Sequence, residues 1–176
     1  MNTKLGMPFL EFELLKKKMV PPSRATLESA CLDVGFNFPD DSRLVKMYDE
    51  YNCVSEIDIP STINELNIPP HWRIMVPTAL KLKIHGDWHV KVYNRSSVSL
   101  KKGLFLVNSV GIIDSDFNDE LKILLYNGTD VDVHITEGER VAQIMAVPCF
   151  FNMWMPEEFR NSLGFERKGG FGSTGL

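Results

Sequence analysis

Four short runs in which apolar residues recur at every second position restrict this chain to a β fold. Leu80, Leu82 and Ile84 alternate with Lys81 and Lys83, and Trp88, Val90 and Val92 with His89 and Lys91. Leu121, Ile123 and Leu125 alternate with Lys122 and Leu124, and Val131, Val133 and Ile135 with Asp132 and His134. A period of two sends one side of an extended segment into a core and leaves the other to solvent. The connections His-Gly-Asp (85–87), Asn-Gly-Thr-Asp (127–130) and Glu-Gly-Glu (137–139) are built from turn formers, and Ile74 and Val76 make one more run that ends at Pro77. Strands of this length and spacing predict an all-β sandwich, barrel or jelly roll in which helix is minor.

The rest of the chain departs from that texture. Residues 5–20 carry an apolar stripe with acids first and Lys16 to Lys18 last, which suits a short helix or an extended arm that Pro21 and Pro22 stop. Asp33 lies among apolar neighbours and must find donors or a cation there. Between residues 38 and 70 acids are spread among Tyr48, Tyr51, Ile57 and Ile59. A short helix over Ser42–Tyr51 and a helical turn over Ser61–Leu66 are expected there, the whole standing as an insertion on the surface of a single domain spanning 1–166. Residues 167–176 read as a flexible arm.

Several function classes are excluded at this level. A net charge of −4 over 176 residues argues against wrapping a nucleic-acid backbone and leaves room only for a local basic pocket. Cys31, Cys53 and Cys149 are too scattered for a disulfide framework or a zinc site. No apolar run is long enough to span a bilayer, so no membrane partner is expected and a cytoplasmic location is.

Chemistry concentrates in Asn108-Ser-Val-Gly-Ile-Ile-Asp-Ser-Asp-Phe-Asn-Asp-Glu120, between the apolar runs 103–107 and 121–125. Two strands so joined predict a hairpin whose unpaired main-chain groups can read the edge of a flat base. Asp114 and Asp116 would share a face of a strand; alternatively they serve only as turn residues. Arg95-Ser96-Ser97 offers a guanidinium fork and two hydroxyls, donors that suit phosphate oxygens or make an ordinary surface turn. Gln143, after Gly138-Glu139-Arg140, adds an amide donor. At the chain end Arg167-Lys168-Gly169-Gly170-Phe171-Gly172-Ser173-Thr174-Gly175 joins cations, glycines, hydroxyls and a ring: either a tail or a lid in which Phe171 stacks on a base while the glycine amides wrap phosphates.

In this order, Thr26–Asp33, Arg95–Ser97, Asn108–Phe117, Gly138–Gln143 and Gly169–Gly175 resemble the five motifs of the homotrimeric dUTPase family, from about residue 25 to the chain end. The resemblance implies a jelly-roll-like subunit, a trimer with three shared active sites, and hydrolysis of dUTP to dUMP and pyrophosphate, which limits uracil in DNA and supplies dUMP for thymidylate synthesis. It implies Asp114 as the base that deprotonates water, and Asn108 with the backbone of Gly111, Ile112 and Ile113 as the uracil reader. Phe117 would lie under the deoxyribose, with Lys122 counted among the substrate contacts. Arg95, Ser96, Ser97 and Gln143 would hold the phosphates, and Arg167, Gly170, Phe171, Gly172, Ser173 and Thr174 would close over them. Magnesium would be bound mainly by the triphosphate, with Asp33 reaching its water shell. The chain departs from the family pattern with Phe117 for tyrosine, Asn118 and Asp119 for a basic residue and glycine, Asn94 for proline, and Glu166 where the arm's arginine is usual. Two other readings remain: a dCTP deaminase of the same fold, with Glu120 as its catalytic glutamate, and a dUTPase that also grips a regulatory protein through 38–70.

Overall fold

Pro77 does not end a strand. In the computed structural model, which describes residues 5–7, 9–149, 156 and 158, the runs on either side of it form one extended element. The described residues hold, in chain order, β1 (Leu5–Met7), β2 (Leu10–Leu14), β3 (Leu32–Gly35), β4 (Leu44–Tyr48), β5 (Val54–Asp58), β6 (Glu65–Ile68) and β7 (Arg73–Ile84). After them come β8 (Trp88–Asn94), α1 (Ser96–Lys102), β9 (Leu104–Leu106), β10 (Gly111–Ile113), β11 (Glu120–Asn127), β12 (Val133–Thr136) and β13 (Arg140–Pro148).

The continuity of β7 rests on a bulge. Lys122 of β11 pairs with Pro77 and Glu120 with Lys81, so Thr78, Ala79 and Leu80 lie opposite the single Leu121. A proline has no N–H for the ladder and is tolerated where the ladder is already interrupted. Ala79 takes a left-handed φ of 54°. The amides released by the bulge are satisfied by one carboxylate: Glu120 Oε1 accepts from Thr78 N at 3.1 Å and Ala79 N at 2.8 Å, and Thr78 Oγ1 donates to the Leu121 carbonyl at 2.5 Å.

Three sheets result. The largest runs β1-β2-β7-β11-β9, with β4 also on β7 and β5 on β4; the second runs β10-β8-β13-β3; β12 and β6 make the third. All the pairings are antiparallel. One apolar cluster joins their inward residues: Leu10, Leu80 and Leu125 from the first sheet, Val90, Val92 and Ile144 from the second, Leu66, Ile68 and Ile135 from the third. Phe36 and Phe38, just past β3, meet edge to face at 4.9 Å and are almost wholly buried. Buried Asn127 ties the third sheet to β11, its amide nitrogen lying 2.8 to 3.1 Å from the carbonyls of Ile68, Pro69 and Val131. The architecture is all-β and jelly-roll-like, with α1 the one helix that lies wholly among the described residues.

The helical expectations in the first half of the chain are corrected. Residues 5–20, open to a short helix or an extended arm, are extended over β1 and β2, and Glu65–Ile68 is a strand rather than the end of a helical turn. Ser42–Tyr51 contains β4, because Val45 and Met47, two apart, both enter the core. Within 38–70, then, β4 and β6 are core elements; the exposed part is β5 with its flanking turns, where Tyr51, Val54, Ile57 and Ile63 are open to solvent. No helix among the described residues is long and apolar enough to cross a membrane. Cys31, Cys53 and Cys149 are free thiols.

Candidate active site

The stretch from Asn108 to Glu120 is not the turn of a simple hairpin. β9 and β11 pair directly, Leu106 with Leu125 and Leu104 with Asn127, while the segment between them crosses to the second sheet and pairs there as β10. The crossing begins at Ser109, whose φ is 60°. Gly111 then lies opposite Val92 so closely that a Cβ on it would stand 3.0 Å from Val92 Cβ and 3.4 Å from Asn108 Nδ2. Only a residue without a side chain fits there unless β10 moves away from β8.

Beside this crossing is a cavity of about 180 Å³ lined by Val92, Leu106, Asn108, Gly111, Ile112, Ile113, Phe117, Lys122, Ile123 and Leu124. Drug-sized pockets run to roughly 300–1,000 Å³, so this one suits a single ring. The structure thus brings Asn108, Gly111, Ile112, Ile113, Phe117 and Lys122 to one place. Phe117 is buried and forms part of the wall. Asp114 is exposed and follows directly on Ile113. Asp114 and Asp116 do not share the face of a strand, because the chain turns there, with Phe117 N donating to the Asp114 carbonyl at 3.2 Å and Asn118 Nδ2 to that of Asp116 at 3.0 Å.

A second cluster forms where β3, β13 and β8 lie side by side. Gln143 pairs with Asp33 on one side and Tyr93 on the other, and its Nε2 donates to the Asn94 carbonyl at 2.7 Å. Arg95, the extended residue before α1, donates from Nε to Asp33 Oδ1 at 2.8 Å. Arg140 donates from Nη1 to Asp33 Oδ2 at 2.9 Å, and its own carbonyl accepts from Arg95 Nη1 at 2.9 Å. Arg140 and Gln143 are three apart and would face opposite ways in a regular strand. A bulge between Arg140 and Ala142 adds one residue on β13, so Arg140 stands opposite Gly35 and Gln143 opposite Asp33, on one face. Ser96 and Ser97 open α1 beside this cluster. The acid that had to find a cation at position 33 has found two.

The two clusters share β8. Val92 lines the cavity, Tyr93 pairs with Gln143, and Asn94 lies between Tyr93 and Arg95. Asn94 also reaches the cavity wall, accepting the Leu106 N–H at 2.9 Å through its side-chain oxygen. Val92, Leu106, Asn94 and Arg140 are not among the site residues expected from the sequence. The first two look like any strand residue, and only the parity change in β13 turns Arg140 toward Asp33.

Glu120 is committed elsewhere. Its carboxylate is mostly buried under the β7 bulge, where it accepts two amides and lies 3.9 Å from Lys122. Burial pushes its pKa up, against the pull of the Ala79 amide and of Lys122. That is the role of a buried structural acid, and a dCTP-deaminating glutamate is not favoured. Among the described residues no group of three His, Cys, Asp or Glu could hold a metal ion. Arg167, Gly170, Phe171, Gly172, Ser173 and Thr174 lie outside the described residues.

Known proteins resemble this chain in family and in fold. The family model for dUTPase matches residues 58–175. The deoxyuridine 5'-triphosphate nucleotidohydrolase of a Hydrogenobaculum species is 34% identical over 123 residues, covering 69% of this chain and 84% of that protein. The dUTPase from Streptococcus mutans superposes with a TM-score of 0.56 at 26% identity, over 78% of this chain and 94% of its own. A dUTPase of Staphylococcus bacteriophage 80alpha, a mutant solved with dUpNHpp, shares the fold with a TM-score of 0.61 at 20% identity, over 97% of this chain and the whole of its own.

Proposed function

The chain belongs to the dUTPase family, and on that premise we propose how its residues hydrolyse dUTP to dUMP and pyrophosphate. The uracil ring enters the cavity of about 180 Å³, where Asn108 and the main-chain groups of Gly111, Ile112 and Ile113 meet its polar edge. Uracil and cytosine present opposite donor and acceptor patterns there, so the wrong base leaves fixed amides unpaired. Each buried unpaired group costs roughly 1–3 kcal/mol, and two give about a hundredfold discrimination. Phe117, buried in the same wall, packs under the deoxyribose and leaves no room for a 2′ hydroxyl. Among the described residues, Lys122 is the one cation lining this cavity.

The phosphates leave the cavity along β8 toward Arg95, Ser96, Ser97 and Gln143. Phosphoryl transfer needs little covalent help from a protein; it needs the oxygens neutralised and the nucleophile held in line. Asp114, exposed directly after the base-reading residue Ile113, is the group that orients the attacking water and takes its proton. Arg167 and the 170–174 segment close over the phosphates, with Phe171 on the base.

Magnesium, when bound, offsets charge on the polyphosphate oxygens. The chain's donors fit an ion carried by the substrate: the described residues offer no three-ligand cage, and both Asp33 oxygens already accept from arginines. Each carboxylate oxygen keeps a further lone pair, which can receive a water of the metal's shell. The homotrimer belongs to the same proposal. Phe105, Val107 and Ile112 are 43%, 45% and 52% exposed, apolar area that a neighbouring subunit would cover.

The observation that carries the reading is the meeting, along β8 and the residue after it, of a one-ring cavity with a backbone edge and a two-arginine cluster. It is tested by presenting dUTP, dCTP, dTTP and UTP side by side, with and without magnesium. Pyrophosphate from dUTP far above the other three, stimulated by magnesium, is expected. Ammonia release from dCTP, or equal turnover of UTP, would overturn it.

A further inference from the structure

Resting on the reading of Arg95 as a phosphate ligand, we propose that Arg140 is a positioning residue of the polyphosphate site, acting through Asp33 on Arg95. The argument is one of charge and parity. Asp33 is only 10% exposed on its side chain and holds one guanidinium on each oxygen, Arg95 at 2.8 Å and Arg140 at 2.9 Å. With Arg95 alone the pair would be neutral, and a neutral pair has no net pull on a polyphosphate. Arg140 returns the cluster to a net charge of +1 in a site partly shielded from water, where such a charge is felt more strongly than in bulk.

Arg140 also fixes direction. Its carbonyl accepts Arg95 Nη1 at 2.9 Å while Asp33 accepts Nε, so the plane of the Arg95 guanidinium is fixed from two of its three nitrogens, and Nη2 is the nitrogen that turns to an oxyanion. The bulge in β13 exists between Arg140 and Ala142, where it brings this side chain onto the face of Asp33 and Gln143. Bulges near functional sites are devices for aiming a side chain. A role in stability alone is the weaker account: the Arg140 side chain is 54% exposed, and an ordinary surface ion pair contributes about 0–1 kcal/mol.

The test compares Arg140→Ala, Arg140→Gln and Arg140→Lys in the full chain, with KM and kcat for dUTP, the Kd of deoxyuridine, and Tm. Arg140→Ala should raise KM for dUTP about tenfold, the ratio that 1.4 kcal/mol carries, with deoxyuridine affinity unchanged. Arg140→Lys and Arg140→Gln both keep a donor beside Asp33 and differ in charge. Lys should therefore lie near the parent and Gln near Ala, an ordering that holds even if one variant melts lower. An unchanged KM in Arg140→Ala, an equal loss for deoxyuridine, or equal effects of Lys and Gln would overturn the proposal. Arg95→Ala separates the two layers. If it leaves KM unchanged, the phosphate reading itself fails; if it raises KM while Arg140→Ala does not, only the positioning role fails.

Discussion

The cavity and the arginine cluster meet along β8, and on the reading proposed above they work by opposite means. Apolar side chains predominate in the cavity, where Asn108 and Lys122 are the polar ones among the described residues, and on the proposed reading the backbone of β10 tells one ring from another. In the cluster, on the same reading, recognition belongs to side chains: two guanidiniums, a carboxylate and an amide drawn from β3, β13 and the residue before α1. A backbone reader is set by strand pairing and steric fit, so few substitutions touch it except those that move the strand. A side-chain reader is tunable residue by residue, and each change alters charge. The contrast accounts for where selectivity and grip reside.

Three substitutions sharpen or break this division. The largest effect is expected from Asp114→Asn, which belongs to neither reader. A general base supplies about 10²- to 10⁴-fold, so kcat should fall by that much while dUTP still binds as tightly as before, measured by single-turnover kinetics and equilibrium binding; normal turnover would remove Asp114 from its role. Next comes Gly111→Ala. The added carbon would press on Val92 at 3.0 Å, and overpacking costs about 1–3 kcal/mol. Deoxyuridine affinity should drop up to about a hundredfold while pyrophosphate affinity stays at the parent value. Equal loss of both ligands would show the two regions to be mechanically one.

The smallest effect is expected at Glu120→Gln, in the β7 bulge outside both regions. Burial raises the Glu120 pKa, so the folded state favours the protonated acid. Its contribution to stability is complete below the ordinary glutamate range and is lost as pH rises through the raised value. At neutral pH the parent therefore carries an unfavourable buried charge, which glutamine lacks while still accepting the Thr78 and Ala79 amides. Thermal melts should show the variant at or above the parent at pH 7, with the gap closing toward pH 4 and dUTP affinity unaltered. A gap that widens on acidification would contradict the assigned cause.

Much of this was legible before any coordinates. β8, β11 and β12 announce themselves because their apolar residues keep strict alternation and one face of each is buried. β4 was hidden by its shortness: Val45 and Met47 are a single alternating pair among acids, which does not outweigh a helical reading. β5 has no inward face at all, so periodicity had nothing to report. Pro77 concealed the unity of β7, since the bulge that tolerates it depends on a carboxylate 43 residues away. In the site, Asn108, Gly111 to Ile113 and Phe117 could be named because they are contiguous. Arg140 could not, because the strand spacing of three points it away from Gln143 and only an inserted residue reverses that.

β8 also acts as a ruler. Val92 touches the cavity proposed for the base, and Arg95, the extended residue just past the strand's end, belongs to the arginine cluster three residues on; at about 3.3 Å per extended residue that separation is roughly 10 Å. A covalent chain does not stretch, so the gauge between ring and oxyanion is set once, at synthesis. A ligand that carries both correct ends on too long or too short a spacer can engage one station or the other but never the two together.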